Sequence, residues 1–262
     1  MVERQTVTLR TLSPAALVSE LERLRPRDGT SVLCFDGDGT LWAGDVGEDL
    51  FNLALERDAL REPARESLEA EARKYGLPVR ATLAQTARAL FDAYLDGSYP
   101  ERDVCGMMTW CYAGYSSKEL RQLSRDALME RALSERLNRE LESIFEWARE
   151  SGVRSVVVSA SPRCVVEEAA SLWGVSPEDI VASTPRFEAG RVTPALAHPV
   201  PYAEAKCTMG RVLFGEAFWL GSFGDNIFDI EMLLAARIGV AVRPKVSLRT
   251  RLPDLENVVL LA

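Results

Sequence analysis

An apolar run, Val32-Leu33-Cys34-Phe35, stops abruptly at Asp36-Gly37-Asp38-Gly39-Thr40. A short apolar run bounded by turn formers predicts a buried strand over 31–36. Its two carboxylates then stand where a strand leaves a sheet, and open α/β sheets gather their ligands at such exits. Acids two residues apart at the mouth of an apolar strand are costly to desolvate unless a cation or a chemical task keeps them there. Asp and Gly are also ordinary turn formers, so this stretch alone leaves a turn and a site as even alternatives. Two competing motifs fail on spacing. As a calcium-binding helix-loop-helix loop starting at Asp36, the chain has Leu41 and Gly47 where Gly and Glu are required. As a dinucleotide fingerprint, Gly37-x-Gly39 is followed by Trp42 instead of Gly or Ala.

The surrounding pattern sets the fold class. Ser13 as N-cap and Pro14 at the first helical position predict a helix over 13–24 with Leu17 and Leu21 on one face. From about 46 to 150 no strand pattern occurs. Val79, Leu83, Ala87, Leu90, Phe91 and Tyr94 keep helical spacing, as do Leu137, Leu141, Ile144, Phe145 and Ala148. Ser116 and Glu119 form a capping-box signature. After Gly152 the character changes. Residues 153–159 form a β-branched run ending in Ser159, with Ser161 and Pro162 predicted to open a helix reaching about Trp173. Strands are expected at 179–182, 217–221, 238–242 and 257–261, helices at about 202–214 and 226–235, and a small hairpin at Glu188-Ala189-Gly190-Arg191. Alternating strands and helices imply a mostly parallel sheet covered on both faces, an α/β fold with three layers. The expected organisation is a core of 1–42 and 151–262 interrupted by an all-helical unit at 43–150.

Composition limits the chemistry. With 31 Lys and Arg against 39 Asp and Glu, the 262-residue chain has a formal charge of −8, which gives no global attraction to nucleic acid or an anionic membrane. The first ten residues, MVERQTVTLR, carry charges where a signal peptide needs an apolar stretch, so a cytoplasmic, soluble protein is expected. Five cysteines without a CxxC pair argue against a disulfide framework or thiolate zinc site. The single histidine, His198, excludes a multi-histidine metal centre and is read as a loop or packing residue. Any catalysis must rest on carboxylates and lysine.

Four strand exits or helix starts carry suitable groups: Asp36-x-Asp38-x-Thr40, Ser159, Lys206, and Asp225 with Asp229 at helical i,i+4 spacing. Each has an ordinary structural reading as cap or solvated residue, but their joint order is hard to assign to chance. DGDGT, VVVSAS, a lone lysine and GDNIFD together resemble the four-motif signature of the haloacid dehalogenase-like (HAD) hydrolases. A helical insert straight after the first motif resembles their phosphoserine-phosphatase-like branch. The resemblance implies a Rossmann-like core with a helical cap. It implies Asp36 as nucleophile forming an aspartyl-phosphate, and Asp38 as general acid and then base. Mg²⁺ would be held by Asp36, Asp225 and the backbone carbonyl of Asp38, with Asp229 acting behind them or through water. Ser159, Lys206 and the amides near Asp38 and Ala160 would bind the phosphoryl oxygens, and Thr40 would orient the loop. The acid at Asp38 points to phosphate rather than halide chemistry.

Substrate choice in this family is implied to lie in the cap and in the loop after the first motif, Trp42 to Asp49. Asp45 or Glu48 is expected to meet a substrate ammonium, as in phosphoserine phosphatases. The chain departs from them at Phe228, which stands where they have a substrate-binding Asn. Met107, Met108, Trp110, Tyr112 and Tyr115 read either as helix core or, with Trp42, as an aromatic cage for ammonium. The expected partner is a small phosphorylated metabolite such as a phosphoserine-, phosphoethanolamine- or phosphocholine-like ester. The alternatives are a phosphoryl- or glyceryl-transferase of the same superfamily, which TLWAGDVGED also resembles, and a non-catalytic phosphate- or metal-binding protein.

Overall fold

The computed structural model describes residues 9–262, so most of the amino-terminal stretch read for a signal segment lies outside the described residues. The chain begins with a short strand β1 (Thr11–Leu12), helix α1 (Pro14–Leu24) and strand β2 (Ser31–Phe35). A helical stretch follows: α2 (Val46–Glu56), α3 (Arg65–Lys74), α4 (Leu83–Leu95), α5 (Glu101–Trp110), α6 (Ser117–Glu130) and α7 (Glu142–Glu150). The remainder alternates: β3 (Arg154–Pro162), α8 (Arg163–Ala170), β4 (Ile180–Ser183), a hairpin β5 (Pro185–Glu188) and β6 (Arg191–Leu196), and α9 (Glu204–Phe214). It ends with β7 (Phe218–Gly224), α10 (Ile230–Ala235), β8 (Ile238–Ala241), α11 (Val246–Arg251) and β9 (Val258–Leu261). No helix among the described residues is long and apolar enough to cross a membrane.

Seven strands form one sheet in the order β1-β9-β8-β7-β2-β3-β4, and every neighbouring pair is parallel. β2 lies between β3 and β7, and the chain order diverges on its two sides. That switch point opens a crevice beyond the strand ends. Phe35 is level with Val157 of β3 and Phe223 of β7, so the three loops leave the sheet together.

The period-two alternation of β2 divides its side chains between two layers. Leu33 and Phe35 join an apolar cluster with Leu17, Leu21, Phe145, Val165 and the helical stretch. Val32 and Cys34 face the opposite layer with Phe214, Trp219 and Met232. Phe35 is stacked between Phe145 and Phe223, at 4.5 and 4.3 Å between ring centroids. A buried aromatic of this kind is worth about 3–5 kcal/mol against alanine, and it fixes the strand end on which Asp36 follows.

The helical stretch packs on the first of these layers, and one apolar cluster runs from Leu17 through Leu90 to Phe223. The predicted hairpin forms with a turn at Ala189 and Gly190, both at positive φ, and its strand β6 ties the helical stretch to the core. Gly114 N–H donates to Val192 O at 2.8 Å, and Val192 N–H donates to Tyr115 O at 2.8 Å. Helix α7 packs against α1 and β3, with Phe145 on Phe35. It thus packs on the sheet as α5 does, alongside the amino-terminal helix α1.

One local expectation is corrected. β3 runs on through Pro162, and Ser161 makes no cap hydrogen bond to α8. Its hydroxyl is drawn away by a carboxylate across the crevice, described next.

Candidate active site

The loop after β2 is held by its own backbone and by two distant residues. Asp36 N–H donates to Phe223 O at 2.9 Å, and Leu41 N–H donates to Gly37 O at 2.8 Å. Gly39 has φ +84°, and a Cβ there would lie 2.1 Å from Asp225 Oδ2. Glycine is needed both for the left-handed backbone and for the close approach of the carboxylate. The buried Asn138 staples the loop, its Nδ2 donating to Gly39 O at 3.1 Å and Thr40 O at 2.7 Å. Thr40 Oγ1 donates to Asp36 Oδ2 at 3.2 Å.

Asp36 lies beside the other site carboxylates. Lys206, reaching in from α9, places Nζ 2.6 Å from Asp36 Oδ1 and 2.6 Å from Asp229 Oδ1. All three side chains are buried. Asp229 Oδ2 accepts the N–H groups of Asp225 at 3.1 Å and Asn226 at 2.9 Å, which clamps the turn after β7. Burial pushes the Asp36 carboxyl well above the usual range, Lys206 opposes this, and the charges of Asp229 and Asp225 add to it. Burial likewise raises Asp225, to about 6, against the pull of Lys245. Burial alone would lower the Lys206 ammonium, but Asp229 and Asp36 outweigh it and hold the group charged above the usual lysine range.

Asp36, Asp225 and Asp229 each offer an oxygen, all within 4.8 Å of one another. Three buried carboxylates around one point, with only hard oxygen donors, suit a divalent cation such as Mg²⁺. The two lysines supply only part of the compensating charge.

Asp38 has a different environment. Its Oδ1 accepts Trp42 Nε1–H at 2.8 Å and Val46 N–H at 2.8 Å. Its Oδ2 accepts Ser161 Oγ–H at 2.7 Å and, more weakly, Ser159 Oγ–H at 3.4 Å. The two aspartates of one short loop are therefore held by different partners, Asp36 by an ammonium and the Thr40 hydroxyl, Asp38 by neutral donors only.

The chain matches the family model of the haloacid dehalogenase-like hydrolases over residues 33–233, which includes every one of these groups except Lys245. The chain belongs to that family. No curated protein matches it by sequence. Among solved structures, a Bordetella pertussis Tohama I protein described as of unknown function is similar at 18% identity, with 90% of this chain and 99% of that one covered and a TM-score of 0.69. An Anaerococcus prevotii protein, also described as functionally unknown, is similar at 15% identity, with 95% and 92% covered and a TM-score of 0.68. A probable phosphoserine phosphatase from Vibrio cholerae is similar at 13% identity and a TM-score of 0.56, with 88% of this hydrolase and 60% of that chain covered.

Within this hydrolase the structure brings Asp36, Asp38, Thr40, Ser159, Lys206, Asp225 and Asp229 to one crevice, with Ala160 on the strand between Ser159 and Ser161. Of the two readings of the aromatic cluster, helix core is the one the packing shows. Trp42 is fully buried, with its indole N–H spent on Asp38. Tyr112 is buried in helix core, and Trp110 packs against the same cluster. Met107 and Met108 are core residues of α5, and Tyr115, in the turn before α6, is buried with its hydroxyl donating to Ala59 O at 2.6 Å. Asp45 is the N-cap of α2, accepting Glu48 N–H at 2.8 Å, and it stands near the site with Ser161 Oγ 3.5 Å away. Burial, then the charge of Asp38, raises its carboxyl well above the usual range. Glu48 is half-buried and raised for the same two reasons.

Three residues of the site escaped the sequence reading. Lys245, just before α11, places Nζ 3.2 Å from Asp225 Oδ2. Ser161 had a competing role as a cap, and Asn138 reads as a polar position within the helical spacing that starts at Leu137. Only the Pro-Lys pair after an apolar strand hinted at Lys245. His198 lines a separate, mostly apolar cavity of about 650 Å³ with Arg163, Ala182 and Met209.

Proposed function

We propose that this hydrolase is a Mg²⁺-dependent phosphatase that cleaves a small phosphomonoester through an aspartyl-phosphate on Asp36. The observation that carries the reading is the division of labour between the two aspartates of one loop. Asp36 faces Lys206 and the carboxylate cluster, while Asp38 is held two residues on by hydroxyl, indole and amide donors. We assign the first to attack and the second to move protons.

In the first half-reaction an Asp36 carboxylate oxygen forms a bond to phosphorus as the bond to the substrate's alcohol oxygen breaks, and Asp38 delivers a proton to that oxygen. In the second, Asp38 takes a proton from water as the water oxygen attacks phosphorus. The P–O bond to Asp36 then breaks and phosphate leaves. Lys206, Ser159, Thr40 and the amide of Ala160 are assigned to the phosphoryl oxygens. Asp36, Asp225 and Asp229, with the carbonyl of Asp38, are the groups that would hold Mg²⁺. When bound, the ion supplies the positive charge that lets a dianionic ester enter a crevice lined with acids.

The substrate is read as an amino- or ammonium-bearing phosphoester, which Asp45 and Glu48 at the crevice favour. Similar structures are titled as phosphoserine phosphatases, one of them as a phospho-aspartyl intermediate analogue. The working compartment is taken as cytoplasmic, in keeping with five free cysteines. The test is hydrolysis of an aryl phosphate with Mg²⁺ and with chelator, by wild type and Asp36→Asn. Turnover that needs Mg²⁺ and vanishes in the variant is expected. Normal turnover by Asp36→Asn would refute the covalent route.

A further inference from the structure

We infer that Glu101 selects the organic group of the substrate, and that this group is a small cation carrying no carboxylate. The inference rests on the phosphatase reading above. Glu101 opens α5 in the helical layer, far in sequence from the catalytic motifs. Tyr202, in the segment leading into α9, donates its hydroxyl to Glu101 Oε2 at 3.4 Å. The Tyr202 ring packs on Phe228 with centroids 4.5 Å apart, and Phe228 lies in the turn between Asp225 and Asp229. Carboxylate, phenol and phenyl ring thus form a continuous wall from the helical layer to the site cluster. An aromatic pair beside an acid is the kind of surrounding that favours an organic cation.

Charge on this side of the crevice points the same way. Glu101 is half-buried, within electrostatic reach of Lys245, Lys206 and Asp229, and its carboxyl is raised chiefly by burial. Glu48 of α2 feels the charges of both Asp38 and Glu101. Glu101, Glu48 and Asp45 are all within electrostatic reach of Tyr94 of α4, which puts the three acids on one side of the site. Among the described residues, three cations on this side are already engaged. Lys245 is on Asp225, and Lys206 is on Asp36 and Asp229. Arg136, beside the same loop, is taken by Asp49 and Ala43 O. A second anion on the substrate would meet three acids without a cation reserved for it, whereas an ammonium would be met by all three. Acids alone would be an ordinary solvated patch; the Tyr202–Phe228 pair joins Glu101 to the reacting centre.

The test uses the full chain with Mg²⁺ on ethanolamine phosphate, phosphocholine, glycerol phosphate and phosphoserine, with p-nitrophenyl phosphate as a reference. An ethanolamine or choline ester is expected to exceed both glycerol phosphate and phosphoserine in kcat/KM by about tenfold or more, the range one desolvated contact can discriminate. Glu101→Gln is expected to lower the ethanolamine-to-glycerol ratio by about tenfold, mainly through KM. Glu101→Asp should restore part of it, and Tyr202→Leu should lower the same ratio. Preference for phosphoserine, or a ratio unmoved in variants with native melting temperatures, overturns the inference. Aryl phosphate turnover with a flat panel sinks the cation assignment and leaves the phosphatase reading standing. Absence of turnover on every ester, the aryl phosphate included, sinks both.

Discussion

Replacing Lys206 by Met tests the electrostatic design of the site most directly. The ammonium is 2.6 Å from oxygens of both Asp36 and Asp229, with all three side chains nearly or wholly excluded from water. Methionine keeps much of the aliphatic length and removes the charge, leaving two buried carboxylates to repel each other and Asp225. Breaking one side of a buried charge pair costs about 3–5 kcal/mol. For a chain of this size each kcal/mol shifts the melting temperature by roughly 2–4 °C, so a fall on the order of 10 °C is expected without divalent cation. On the proposed function Mg²⁺ would restore positive charge at the same carboxylates, so the melting temperature should rise further on adding Mg²⁺ in Lys206→Met than in wild type. Differential scanning calorimetry in chelator and in a Mg²⁺ series reads both quantities. Phosphatase activity should drop by about a hundredfold or more, the usual loss for a group that stabilises developing charge. If the variant in chelator melts within about 2 °C of wild type, the buried triad is not held by Lys206 and the reasoning fails.

Gly39→Ala forces a Cβ into the left-handed region and onto Asp225 Oδ2. The backbone alone costs about 1–2 kcal/mol, and the displaced carboxylate should weaken Mg²⁺ binding, read by denaturant unfolding and by activity against Mg²⁺ concentration. Asp45→Asn keeps an acceptor for Glu48 N–H while removing a carboxyl that burial and Asp38 hold well above the usual range. A raised carboxyl contributes stability that is present below the ordinary carboxylate range and lost as pH rises through its folded-state value. The variant should therefore gain on wild type as pH rises from 5 to 8, seen as a widening gap in melting temperature. Ser161→Ala removes the 2.7 Å hydrogen bond to Asp38 Oδ2. It is expected to lower kcat by about tenfold with little change in KM, the pattern of a group that positions the proton carrier.

The elements were legible wherever their signals are local. The Ser13-Pro14 start of α1, the Ser116–Glu119 capping box and the Ala189-Gly190 hairpin turn depend on residues within one or two turns of each other, and all three are present. The valine-rich β3 was found, but its end was misread because Ser161-Pro162 is a good helix opening in isolation. The aromatics at 110–115 are ambiguous in sequence because core and cage use the same residue types, and only the packing of α5 and of the turn after it decides for core.

The candidate site shows the same limit. Asp36, Asp38, Ser159, Lys206 and Asp225 could be named from the chain because each sits at a strand exit or helix start that its neighbours announce. The contacts that give them separate chemistry could not. Lys206 meets Asp36 across 170 positions and Ser161 meets Asp38 across 123. Lys245 reaches Asp225 through a loop without a pattern of its own, and Glu101 meets Tyr202 only because a helical layer is folded against the strand ends. The amino-acid sequence by itself determined the parallel α/β core, its helical insert and the placing of acids at strand mouths, since those follow from local periodicity and turn chemistry. Tertiary structure alone decided which acid faces an ammonium, which faces hydroxyls and which side chains stand beside them, because burial and charge depend on what the chain brings alongside.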